Sequence, residues 1–77
     1  VIKILLFASL QEEIGSDSLL LEDTECTVKE VKNFIESKYP YVDLQQVLTA
    51  VNEEFSNEET IVKSGDIVAF LPPVSGG

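Results

Sequence analysis

Apolar residues follow three rhythms along this chain, and each rhythm predicts an element. Val1 to Ala8 is apolar on both faces apart from Lys3, the pattern of a strand in the middle of a sheet. Ser9 to Ile14 predicts one helical turn capped by Ser9 and ended by Gly15. Asp17 to Glu22, with Leu19, Leu20 and Leu21, predicts a second strand. The clearest helix starts at Thr27, because Thr27-Val28-Lys29-Glu30 matches a capping box with Thr27 as N-cap and Glu30 three residues on. Val28, Val31, Phe34 and Ile35 then fall at i, i+3, i+6 and i+7, which is one helical face. Lys29, Lys32, Glu36 and Lys38 are assigned to the outer face. Pro40 ends the helix by pushing Tyr39 out of the helical region.

Asp43 to Gln46 predicts a short turn and Val47 to Asn52 a third strand. Asn52-Glu53-Glu54 turns the chain into a polar run that reaches Thr60, in which Phe55 stands alone. Ile61-Val62 is a short apolar step. Ser64-Gly65-Asp66 is a tight turn in which Gly65 supplies a positive φ. Ile67 to Leu71 reads as a buried strand. The order is strand, strand, helix, strand, a short strand or turn, strand, with no internal repeat. One amphipathic helix must cover one face of a mixed sheet, with the first and last strands side by side in the middle. That is an α+β protein with the β-grasp arrangement of ubiquitin-like domains, a single domain over residues 1–77 with an extended tail at 72–77.

The sequence has 77 residues, enough for one small core, and an apolar share of 44%, close to the globular norm. No run approaches a membrane span and no signal peptide is visible. One cysteine cannot form an internal disulfide, which fits a reducing cytoplasm. The net charge is −9, with five lysines and no arginine. This argues against nucleic acid and anionic lipid and favours basic protein partners. The absence of histidine removes the usual general base, the Ser-His and Cys-His pairs and most zinc sites, so neither a self-contained active site nor a metal centre is expected.

Several residues carry candidate chemistry beside a plainer reading. The carboxylate groups Glu12-Glu13, Glu22-Asp23-Glu25, Glu53-Glu54 and Glu58-Glu59 have no cation-loop spacing and read as solvated surface. Cys26, just before the helix, is placed as a nucleophile or sulfur acceptor or, more simply, as a small buried residue. Asp17-Ser18-Leu19 matches the short motif at which acyl carrier proteins take their prosthetic arm, but it runs into a strand pattern instead of opening a helix. Phe55 and Phe70 are either interface anchors or core residues.

The tail is the most distinctive stretch. Pro72-Pro73 stops ladder hydrogen bonding and favours a stiff polyproline II segment. Val74-Ser75-Gly76-Gly77 follows, ending in the thinnest backbone available. From Pro72 the stretch spans roughly 20 Å when extended. It is either a slender end that threads a channel and presents a carboxylate to another active site, or a disordered end. Once activated by ATP as an acyl-adenylate, such a carboxylate yields a thiocarboxylate with sulfur or an isopeptide with a lysine amine.

Leu6-Phe7-Ala8, Leu10-Gln11-Glu12, Gly15, Ala50-Val51-Asn52, the run Gly65 to Phe70 and the ending Pro72-Pro73-Val74-Ser75-Gly76-Gly77 together resemble the small subunit of molybdopterin synthase, the MoaD-type sulfur carriers. The resemblance spans the whole chain. It implies a protein with no bound cofactor, whose Gly77 is adenylated with ATP by an enzyme similar to ubiquitin E1 and converted to a thiocarboxylate. It further implies that the tail enters the large synthase subunit, in a heterotetramer of two small and two large subunits. There Gly77 donates sulfur to cyclic pyranopterin monophosphate to form the molybdopterin dithiolene. Pro72, Pro73, Val74, Ser75 and Gly76 are implied to fit the channel, and Phe55 and Phe70 match hydrophobic partner contacts. Gln11 stands where the family commonly has arginine. A carrier for thiazole synthesis and a ubiquitin-like protein modifier or binding module are the alternatives.

Overall fold

The structure, a computed structural model, describes residues 1–73; Val74, Ser75, Gly76 and Gly77 lie outside the described residues. In chain order the elements are β1 (Ile2–Leu6), α1 (Ser9–Ile14), β2 (Ser18–Leu21), β3 (Glu25–Thr27), α2 (Val28–Lys38), β4 (Leu48–Val51), β5 (Glu54–Phe55), β6 (Ile61–Lys63) and β7 (Ile67–Leu71). Five strands form a mixed sheet in the order β2-β1-β7-β4-β5. β1 and β7 run parallel, with Leu6 opposite Phe70, and the other pairs are antiparallel. This is the expected β-grasp fold, and β7, the strand that leads into the tail, is the central one.

The helix α2 forms where the sequence places it. Thr27 Oγ1 accepts from the Glu30 N–H at 3.2 Å, and Glu30 Oε1 accepts from the Thr27 N–H at 2.9 Å, so the capping box is closed. The two remaining N–H groups of its first turn are also satisfied. Val28 N donates to Thr60 O and Lys29 N to Glu58 O, each at 3.0 Å. The polar run before β6 is therefore a cap for α2. At the other end Tyr39 has left the helical region, with φ −129° and ψ 79°.

Val28, Val31 and Ile35 of α2 pack on Ile2, Ile4 and Leu6 of β1 and on Val68 and Phe70 of β7, all fully or almost fully buried. Leu19 and Leu21 of β2 close the same layer. The connection from Pro40 to Val47 contributes more than a turn: Val42 and Leu44 are buried in this core, and Leu44 N donates to Glu36 Oε2 at 3.2 Å.

Two expectations need correction, and one element lies beyond what the sequence predicted. Lys32, assigned to the outer helix face, is buried, with Nζ 3.2 Å from Glu58 Oε2; the chain capping α2 folds over that flank and supplies the counter-charge. Ser9 does not cap α1. It is the first helical residue, and Ala8, at φ 52°, holds the N-cap position without a side-chain bond. Thr27 and the two residues before it form β3, paired with β6 in a small separate ladder.

Candidate functional site

A strand alternates its side chains between two faces, so the residues that α2 does not cover share the opposite face of the sheet. On β1 these are Lys3 and Leu5, with Phe7 just beyond the strand. On β7 they are Ile67, Ala69 and Leu71. The register aligns them with Leu20 of β2, with Leu48 and Ala50 of β4 and, through Ala50, with Phe55 of β5. Apart from Lys3 and Ser18 this face is apolar, and no element lies over it among the described residues. Phe55 is 74% exposed and Leu20 60% exposed. Phe7, Leu48 and Ile67 are also exposed. Part of the face is concave: a groove of about 420 Å³ is lined by Leu5, Phe7, Asn52, Glu53, Ile67 and Ala69.

The face is fixed at both ends of β7. At its start, Asn52 turns the chain with φ 50°, and its backbone carbonyl is not the acceptor that the Ile67 N–H uses. Its side chain substitutes: Oδ1 accepts from Ile67 N at 3.0 Å, while the Asn52 N–H donates to Ile67 O at 2.8 Å. Asn52 Nδ2 donates to Asp66 Oδ1 at 3.1 Å, and Asp66 Oδ2 accepts from Lys63 N at 2.8 Å. These bonds hold the Asp66 carboxyl below its ordinary value, the Lys63 N–H first and the Asn52 amide second. At its end, Leu71 is still paired with Leu48, and Pro72 and Pro73 follow outside any element. The stalk therefore leaves from the sheet's centre, beside the apolar face.

Each sequence candidate now has a place. Phe55 lies on the exposed face. Phe70 does not: it is fully buried, because it alternates with Ala69 and Leu71 and so points under α2. Its reading as a partner contact is corrected to core. Leu71, its outward neighbour, is the residue of β7 on the open face at the tail's root. Leu5, Phe7, Leu48, Ile67 and Ala69 also escaped notice. The signal was Lys3, whose parity marks Leu5 and Phe7 as outward. Pro72 and Pro73 follow β7 as expected, and Val74, Ser75, Gly76 and Gly77 lie outside the described residues.

Cys26 is a buried β3 residue. Burial raises its thiol, and the charges of Asp23 and Glu30 raise it further, the reverse of what a nucleophile requires. Ser18 belongs to strand β2, where its N–H and C=O bond to Ser16 Oγ, so it does not open a helix as an acyl carrier's serine does. The paired carboxylates, Glu12-Glu13 to Glu58-Glu59, are all exposed.

A β-grasp sheet with one helix-covered face, one bare apolar face and a proline stalk rooted in its central strand defines a ubiquitin-like carrier scaffold. Comparison with known proteins narrows the class. Residues 4–77 match the model of the ThiS family, and the chain belongs to that family. It is 35% identical over 81 residues to the molybdopterin synthase sulfur carrier subunit of Haemophilus influenzae, covering all of both chains. It is 38% identical to the subunit of that name from Dictyostelium discoideum, covering 97% of this chain and 94% of the relative. Among solved structures it resembles SAMP1 from Haloferax volcanii, with a TM-score of 0.80, 26% identity and coverage of 99% and 98%.

Proposed function

We propose that this protein is the sulfur carrier subunit of a molybdopterin synthase. The observation that carries the reading is the bare apolar sheet face running up to a Pro-Pro stalk, in a chain whose full-length relatives bear that name. Gly77 is the working residue. Its carboxylate oxygen attacks the α-phosphorus of ATP on an E1-like adenylating enzyme, releasing pyrophosphate. Sulfur at the sulfide level then attacks the carbonyl carbon, AMP leaves, the S–H proton is lost, and a thiocarboxylate remains. That sulfur is passed to cyclic pyranopterin monophosphate inside the large subunit, where the catalytic side chains reside.

The chain's composition supports this division of labour. With no histidine and with a buried, raised thiol, it lacks the usual general base and an activated thiol nucleophile. What it offers is a docking face and a reach of roughly 20 Å from Pro72 through Val74, Ser75 and Gly76 to Gly77. Phe55, with Leu71 and Phe7, anchors the large subunit by removing apolar surface from water. The assembly is a cytoplasmic heterotetramer of two small and two large subunits. In the described residues no helix is long and apolar enough to cross a membrane.

The test is reconstitution. The chain carrying a Gly77 thiocarboxylate, mixed with the large subunit and cyclic pyranopterin monophosphate, should yield molybdopterin. A chain lacking Gly77 should fold equally well and yield none. Equal yields from both would contradict the proposal. The likeness to SAMP1, a small archaeal modifier protein, favours a second reading, in which activated Gly77 acylates lysine amines. Isopeptide-linked products with ATP and the adenylating enzyme, in the absence of sulfur, would support it.

A further inference from the structure

The hairpin turn between β4 and β5 contains a residue that its backbone does not favour. Val51 and Glu54 are paired, so the loop is Asn52-Glu53, and both residues have positive φ, 50° and 72°. This is the primed two-residue turn, which selects Asn then Gly. Asn52 fits. Glu53 does not, because its Cβ crowds the backbone where glycine would be free. A side chain kept in a disfavoured conformation points to a use elsewhere.

Its position supplies the use. Glu53 lines the apolar outer-face groove with Leu5, Phe7, Ile67 and Ala69, and it is exposed. Among the described residues its carboxylate has no hydrogen-bond or ion-pair partner. The neighbouring acids are otherwise placed. Asp66 is bound to Asn52 and to the Lys63 N–H. Glu54 pairs with Val51, whose side chain enters the core, so Glu54 belongs to the other side of the hairpin. Lys3 opposes Ile67 on the same face but makes no ion pair with Glu53. Glu53 is thus an unpaired negative charge, among the described residues, at the rim of a groove whose other lining residues are apolar apart from Asn52.

We propose that Glu53 is a specificity-determining contact, held at the groove rim to meet a lysine or arginine of the large subunit as that subunit covers the outer sheet face. The inference rests on the sulfur-carrier reading and adds the chemistry of one partner position to it. A rim charge of this kind discriminates between partners and speeds encounter more than it adds affinity, and salt screens it.

The test measures binding of the full chain to the large subunit of the same organism, at low salt and at about 0.5 M salt, where screening is strong. Glu53→Gln should weaken binding about 2–5-fold at low salt, the range of an exposed ion pair, and the deficit should shrink at high salt. Glu53→Asp, which keeps the charge, should restore binding. Glu54→Gln, the same change of net charge on the other side, should bind as the parent does. Glu53→Gly should bind like Glu53→Gln yet raise Tm by roughly 4–8 °C, since it relieves the turn. Equal binding by Glu53→Gln and the parent would overturn the inference, as would an equal loss in Glu54→Gln or a Tm for Glu53→Gly no higher than the parent's. If the parent itself fails to bind the large subunit, the sulfur-carrier reading fails and the inference falls with it.

Discussion

The two faces of the sheet are built from the same kinds of residue and have opposite fates. Ile2, Ile4, Leu6, Val68 and Phe70 face α2 and are lost from solvent. Leu5, Phe7, Ile67, Ala69, Leu71, Leu48 and Phe55 face the other way with nothing over them among the described residues. The inner face is accounted for by folding: burying such a side chain contributes about 1.5–3 kcal/mol. Folding offers no comparable account of the outer face. A sheet that needed only one dry side would carry polar residues on the other. A contiguous bare apolar surface on a small domain marks an interaction site. That surface is continuous with the end of β7, where Pro72 and Pro73 begin.

The sharpest way to break the comparison is to truncate one phenylalanine on each face. Phe70→Ala should lower stability by about 3–5 kcal/mol in urea unfolding, enough to threaten the fold of so small a domain. Phe55→Ala should change stability by no more than about 0.5 kcal/mol. It should instead weaken binding to the large subunit by at least 1 kcal/mol, roughly the loss that separates an anchor from a bystander. If Phe55→Ala unfolded the domain, or if Phe70→Ala affected only binding, the two faces would have been assigned the wrong way round.

Smaller effects sharpen the picture of how each face is held. Thr27→Ala opens the capping box of the helix that covers the inner face and should cost about 1 kcal/mol. Ala8→Gly relieves a φ of 52° where the chain leaves β1 beside Phe7, and should raise stability by about 0.5–1 kcal/mol. The smallest effect concerns pH. The Asp66 carboxyl is held below its ordinary value of 3.8 in the folded state, so its contribution is complete above that value. It is lost as pH falls through the lowered folded value. Asp66→Asn should flatten the stability profile below about pH 4 and leave its shape at neutral pH unchanged; an unchanged acid limb would show that the Asn52 and Lys63 contacts do not hold the charge.

The same contrast explains what could be read from sequence. The helix was legible because its cap lies within four residues and its apolar face is periodic. The pairing of β1 with β7 was legible because those are the two most apolar strands. The facing of β7 was not, because Ile67, Val68, Ala69, Phe70 and Leu71 are apolar at both parities, so Phe70 and Leu71 were indistinguishable until the register with β1 was known. Lys32 looked like surface because its partner, Glu58, is distant in sequence. β3 was missed because Glu25, Cys26 and Thr27 are too few to show a period, and Thr27 also serves as the N-cap of α2. Of the tail, the two prolines that follow β7 were legible from composition, whereas the bare face beside them depends on strands brought together across the whole chain.

The central claim is that Gly77 carries sulfur, and the direct measurement is a mass spectrum of its C-terminal peptide after incubation with ATP, an adenylating enzyme for MoaD-type carriers and a sulfur source. The chain contains no methionine, and Cys26 is remote in sequence, so a change at Gly77 separates cleanly on fragmentation from thiol oxidation. The account predicts replacement of one oxygen by sulfur, located on Gly77. An unmodified Gly77, with the enzyme shown to be active on another carrier, would contradict it.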